Sequence, residues 1–205
     1  MPSQALNDFM QRTQEVRQLL DAHGALTRLR RAEGAVQSGG QGLQRIADVV
    51  QHLVSPPGRG RPAEVHALNS AGVALLSGHL QGFIFDLFKE VTVACLAGKV
   101  RDVAAVQSAA NTRGNPNWQN ITKLFRAVGF PDILADISWQ RMSNAQLRRK
   151  LESFNMLRNK IVHGASEHVT KATVSNYLNV LTNFAYHLDD KLKVEVHKVT
   201  RRNPW

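Results

Sequence analysis

Apolar residues return along most of this chain at steps of three and four, the period of a helix buried along one side. Leu6, Phe9, Met10, Val16, Leu19, Leu20 and Leu26 predict a long first helix over residues 4–31. Glycines between 34 and 42 interrupt it, a short helix is expected over 43–54, and a Pro/Gly linker follows at 55–62. The central helix, 63–97, carries Leu76, Leu80, Phe83, Leu87, Val91 and Ala94 as one stripe. Beside that stripe, within about 80°, run Gly72, His79, Asp86 and Glu90, a polar edge on a buried face. After a loop at 111–116, a short helix over 117–128 turns Trp118, Ile121, Leu124 and Phe125 inward, and Gly129-Phe130-Pro131 stops it. Ser143 reads as an N-cap for a helix over 144–163, with Gly164 as its C′ glycine. A last helix starts at Thr170 or Lys171 and runs to 199, its core positions being Val174, Leu178, Leu181, Phe184, Ala185 and Leu188.

No segment alternates cleanly as a strand would. The fold class is therefore all-α, a helical bundle with long core helices and a long N-terminal helix. Residues 1–62 form an N-terminal helical region and linker packed on the same domain. Residues 63–199 form the bundle, and 200–205 a basic tail expected to fray.

Composition narrows the class. An apolar share of 43% suffices for a core. One cysteine, Cys95, lies in an apolar stretch and reads as a small buried hydrophobe. With no disulfide framework and a polar, mixed-charge start over residues 1–20, a reducing cytoplasm is the expected location. Residues 71–98 are the most apolar run, but His79, Gln81, Asp86, Lys89 and Glu90 interrupt it. That favours a buried helix over a membrane span, and no membrane partner is expected. The net charge is +10, which makes a polyanion, by default nucleic acid, the expected partner over a merely basic surface. Aromatics are few and not interleaved with the basic clusters, unlike a base-stacking platform.

The chemistry with most promise is Arg158-Asn159-Lys160-Ile161-Val162-His163-Gly164. Arg supplies a fork of donors for phosphate oxygens, and His moves protons near neutral pH. The spacing alone is weak. A chain with 17 Arg and eight His contains roughly 0.7 such spacings by chance, and a second copy runs from Arg61 to His66 beside the Pro/Gly linker. Context separates the two. On the helix of 144–163, with Leu147 at 0°, Leu151, Phe154, Ile161 and Val162 fall within about 60° of it and Arg158 at about 20°, inside the apolar stripe. A charge there needs a partner, and a structural ion pair is one explanation. Asn159 and His163 share another face, at about 120° and 160°. Arg158 and His163 meet only if the long arginine reaches over, the helix unwinds at Gly164, or symmetry mates meet across a dimer. Arg148, Arg149 and Lys150 sit where a solvated helix surface is expected. The eight histidines show no zinc-type spacing with the cysteine, so no metal and no cofactor is expected.

Residues 151–164 resemble the signature of HEPN-domain proteins: Arg, four to six residues, then His, with a polar residue directly after the Arg. Residues 68–83 resemble the early core helix of the RiboL-PSP-HEPN branch and of the related MAE_28990/MAE_18760-like group. In those branches a glutamate often precedes a Gly-Phe or Ala-Phe pair; here Gln81 stands before Gly82-Phe83, and Asp86 or Glu90, with His79, are the candidates to support Arg158 instead. The resemblance spans about 63–198. It implies an all-α homodimer acting as a metal-independent endoribonuclease, such as a toxin or effector in toxin–antitoxin or phage-defence systems, with RNA and an antitoxin protein as partners. Arg158 would then stabilise the phosphorane, His163 act as general acid or base, and Asn159 hold phosphate or imidazole. Arg148, Arg149, Lys150 and Lys160 would bind the RNA backbone. The alternative is a non-catalytic HEPN-like module that binds RNA, nucleotide or protein.

Overall fold

The computed structural model describes residues 1–36, 63–96, 106, 114–165 and 167–205. Five helices order them: α1 Gln4–Val36, α2 Ala63–Leu96, α3 Trp118–Arg126, α4 Asn144–Val162 and α5 Lys171–Thr200. No strand occurs among the described residues. The helix expected over 43–54, the linker at 55–62 and Arg61 lie outside them.

Each helix is present because its apolar stripe finds another. α1 lies along α2 and touches α5, while α2 also packs on α3, α4 and α5. Phe9 of α1 meets Phe83 of α2 with ring centroids 5.2 Å apart. Phe88 of α2 meets Phe125 of α3 edge-on at 5.9 Å. Leu76, Leu80, Phe83, Leu87 and Val91 are all enclosed, each contributing about 1.5–3 kcal/mol of burial. α2 is long and apolar enough to cross a membrane by length and composition, and half of that stretch is buried against its neighbours. His79, Asp86 and Glu90 of the polar edge of α2 face α1, whereas Gly72 lies against Val174 of α5. Cys95, near its end, is half-buried rather than enclosed.

Capping sets the helix limits. Asn117 accepts from Asn120 N at the start of α3. Ser143 and Gln146 form a capping box at the start of α4, and Thr170 accepts from Thr173 N at the start of α5. Between α3 and α4 the chain makes turns rather than a helix, yet Ile133, Leu134 and Ile137 are buried there. Asn144 Nδ2 donates to the carbonyls of Leu134 at 2.6 Å and Ile137 at 3.0 Å, pinning this segment to α4. Arg141, with φ 69°, closes a tight turn between the paired Trp139 and Met142.

Two carboxylates receive the N-terminal end of α1. Glu90 of α2 accepts from Gln4 N at 3.2 Å and Ala5 N at 2.7 Å. Asp189 of α5, 3% exposed, accepts from Ser3 N at 3.4 Å. The tail does not fray as expected. Trp205 is half-buried and packs on the core, its indole beside Asp189 without a well-formed hydrogen bond.

Candidate active site

The Arg158–His163 segment occupies the C-terminal turns of α4, and the cap explains its shape. His163 is the C-cap, with φ −86° and ψ 11°. Gly164 follows with φ 77°, the left-handed conformation that glycine adopts without cost. Gly164 N donates to Ile161 O at 3.1 Å and Ala165 N to Lys160 O at 2.9 Å, the paired bonds of a Schellman motif. The helix therefore stays regular to its end instead of unwinding, and the imidazole of His163 is left exposed.

The burial of Arg158 differs from the expectation. The enclosed positions of α4 end at Leu147, Leu151, Phe154 and Asn155. Beyond them Leu157, Arg158 and Ile161 are half-buried, and Val162, expected in the stripe, is 52% exposed. The last turns of α4 lie at the edge of the core, with Leu157 and Ile161 still packed against it, so the guanidinium is not forced inside. No ion pair holds Arg158 among the described residues. Arg158 Nη1 instead donates to Asn159 Oδ1 at 3.1 Å, which swings the charge from its own side of the helix toward the face that carries His163.

Asn159 has a second partner. Asn115 Nδ2 donates to the same Oδ1 at 2.9 Å. One turn earlier, Asn155 Nδ2 donates to Pro116 O at 3.3 Å and to Leu151 O at 2.9 Å. The pair Asn155 and Asn159, four apart on one face, thus clasps the loop of residues 114–117 onto α4. Asn120 Nδ2 ties the same loop from α3, donating to Asn115 O at 2.8 Å. Asn115 and Asn155 did not emerge from sequence reasoning. Their only signal was a run of asparagines around the start of α3 facing a four-residue asparagine repeat in α4.

The three residues expected to support Arg158 face elsewhere. Glu90 receives the start of α1, and Asp86 lies 3.8 Å from Arg12 and 2.9 Å from Lys89. His79 lies 3.3 Å from Glu15 of α1, with burial lowering its pKa and Glu15 opposing. These three residues form a seam with α1, and the partner found for Arg158 is an amide in place of a carboxylate.

The basic residues also divide. Arg148 pairs with Glu152 at 3.0 Å and Lys160 with Glu167 at 2.6 Å. Arg149 and Lys150 line a shallow cavity of about 250 Å³ with Gln146, Ser153 and Tyr177. His66, from the second motif copy, sits in α2 with its ring 4.8 Å from that of His168. Among the described residues, no group of three or more His, Cys, Asp or Glu side chains is arranged to hold a metal.

Part of the chain, including α4 with Arg158 and His163, matches a known family. Residues 102–194 match the RiboL-PSP-HEPN family. That is a HEPN-domain family, all-α, and its association is with nuclease or RNA-related function. The HEPN match takes in α3, α4 and most of α5, and so contains Arg158, Asn159 and His163. Neither the curated proteins nor the solved structures give a match to the chain. α1 and α2 precede the HEPN match, yet they pack on it through the same core.

Proposed function

We propose that this chain is an endoribonuclease in which the RNA supplies its own nucleophile. The ribose 2′-hydroxyl attacks the adjacent phosphorus, the P–O5′ bond breaks, and the products are a 2′,3′-cyclic phosphate and a 5′-hydroxyl. No metal is required to generate that nucleophile. His163 takes the proton from the 2′-hydroxyl or returns one to the leaving O5′. Two His163 side chains in a homodimer divide these roles. Arg158 stabilises charge on the phosphorane, and Asn159 aims Arg158. Arg148, Arg149, Lys150 and Lys160 attract the backbone.

One observation carries this reading. Among the described residues, the guanidinium of Arg158 is held by a neutral amide and by no carboxylate, so its full charge remains for a phosphate. A structural arginine at a half-buried position would be expected to pair. The HEPN match supports the reading, and a toxin or defence effector in the cytoplasm, restrained by an antitoxin, is the biological role proposed with it.

The test is cleavage of a labelled RNA in EDTA. Wild type is expected to cut, leaving cyclic phosphate ends. His163→Ala is expected to lose at least about 100-fold in rate with circular dichroism unchanged, because the side chain is exposed. RNA left intact by wild type, or cut equally by His163→Ala, rejects the reading. A non-catalytic RNA-binding module is the second reading. It is favoured by the separation of Arg158 and His163, which make no hydrogen bond to one another among the described residues. Binding without cleavage would establish it.

A further inference from the structure

Arg141 holds a backbone conformation that an arginine has no local reason to adopt. Its φ is 69°, in the left-handed region where a Cβ is strained and glycine is free. It stands at the second central position of the turn between Trp139 and Met142, where positive φ ordinarily calls for glycine or asparagine. Trp139 N donates to Met142 O at 3.0 Å and Met142 N to Trp139 O at 2.8 Å. The turn is also held from α5: the Trp139 ring stacks on that of His187, with centroids 5.1 Å apart and planes 7° apart. Strain that the surroundings enforce is a pointer to function. What Arg141 adds over glycine is a charge, and the reaction proposed above does not use it.

That charge stands in a groove. Arg141 lines an open cavity of about 680 Å³ together with Ser143 and Gln146 at the start of α4. Gln146 also lines the shallow cavity of about 250 Å³ that holds Arg149 and Lys150, so the two adjoin. Arg141 and Arg149 are exposed. Among the described residues no ion pair claims Arg141, Arg149 or Lys150, whereas Arg148 is paired with Glu152 and Lys160 with Glu167. Asp136 is the one carboxylate in either lining, and Lys191 lies 3.4 Å from it. Cations without partners therefore gather at the start of α4. The same face of the helix leads to the proposed chemistry. With Leu147 at 0°, Arg149, Ser153, Lys160 and His163 project at about 200°, 240°, 220° and 160°, and α4 keeps its form to the cap. Arg149 and His163 are 14 residues apart, about 21 Å of helix. Phosphates follow one another at about 3.4 Å along a duplex strand and further apart on an extended one, so that span covers several nucleotides.

We infer that the Arg141 turn, with Arg149 and Lys150 beside it, is a remote anchor for the phosphates of single-stranded RNA, several nucleotides from the bond cut at His163. The charge of the groove selects a polyanion. The reaction selects a single strand, because the 2′-oxygen must come in line with the breaking P–O5′ bond, a geometry that a regular RNA helix lacks. A turn fixed by Trp139 and His187 holds its cation ready, so little ordering remains to be done when the strand arrives. The inference rests on the ribonuclease reading for the identity of the polyanion.

Two measurements test it. The first is binding of a fluorescent single-stranded RNA of about twelve nucleotides to His163→Ala protein in EDTA over a range of salt. Arg141→Gly, added to that protein, removes the charge and relieves the backbone together. It is expected to keep or raise Tm and to bind about fourfold more weakly at physiological salt, with a salt slope shallower by about 0.7. Arg149→Ala should weaken binding similarly, and the double variant by the product of the two. No RNA binding, or a slope unchanged by Arg141→Gly, overturns the inference. A fall in Tm with Arg141→Gly also overturns it, because the residue would then be structural. Displacement of the RNA by poly-glutamate of equal charge would mark a surface for an acidic protein and overturn it as well. The second measurement is cleavage. Wild type should cut the longer RNA with a lower KM than a dinucleotide, which cannot reach the anchor, and Arg141→Gly should narrow that gap about fourfold. Cleavage with the gap unchanged in Arg141→Gly removes the anchor and leaves the ribonuclease reading standing. Binding that Arg141→Gly weakens, with no cleavage by wild type, keeps the anchor and rejects the ribonuclease reading.

Discussion

At the scale of single residues, the Arg158 environment turns on one oxygen. Asn159 Oδ1 receives both Arg158 and Asn115. Asn159→Ala removes that acceptor and frees the guanidinium without emptying any core position. The expected outcome is a fall of about 100-fold in kcat/KM on RNA against a stability loss of only about 1 kcal/mol, read by urea unfolding. Cleavage that falls no further than the loss of folded protein would mean that Asn159 only holds the loop. Arg158 was conspicuous in the sequence because a charge on a projected apolar stripe demands an explanation. The nature of that explanation was not legible. The expected carboxylates sit on α2, where helical period made them visible, while the partner is Asn159, the next residue of α4, itself held by Asn115 from a loop with no period to betray it. Projection also overstated burial, because an ideal helical wheel does not say where along its length the helix leaves the core.

At the scale of elements, the helices that announced themselves best are those with chemical stops. Ser143 and Gln146 at one end of α4 and Gly164 at the other leave little freedom in its limits, and the observed Asn144–Val162 follows them closely. The segment between α3 and α4 offered no such signals, since turns that bury single isoleucines have no repeat. The start of α1 falls at Gln4 as expected, with Ser3 Oγ accepting from Leu6 N at 3.0 Å. What the sequence did not show is its second acceptor, Glu90, on another helix. Glu90→Ala should therefore fray α1 from its first turn and cost about 1–2 kcal/mol. Faster amide exchange confined to the first residues of α1, with α4 protected as before, is the expected pattern. Unchanged exchange there would show that packing on α2 alone holds the helix end.

At the scale of the whole molecule, Asp189 is a buried charge on which distant parts converge. Burial pushes its carboxyl above the usual range, and the Ser3 groups and the Trp205 indole oppose that without cancelling it. A carboxyl raised on folding favours the neutral form in the folded protein. Its contribution is therefore fullest below about pH 4, the unfolded value, and is lost as pH rises through the folded value. Asp189→Asn should consequently raise Tm at pH 7.5, and the gain should shrink steadily toward pH 4. A variant less stable than wild type at every pH would mean that the charge itself is needed to hold Ser3. The same convergence fixes an order of events during synthesis. The start of α1 leaves the ribosome before α2 and α5, since Glu90 lies 85 residues beyond Ala5 and Asp189 lies 186 beyond Ser3. The start of α1 must therefore wait until both α2 and α5 have been made before these contacts exist, so this corner of the fold closes only after α5 has been synthesised.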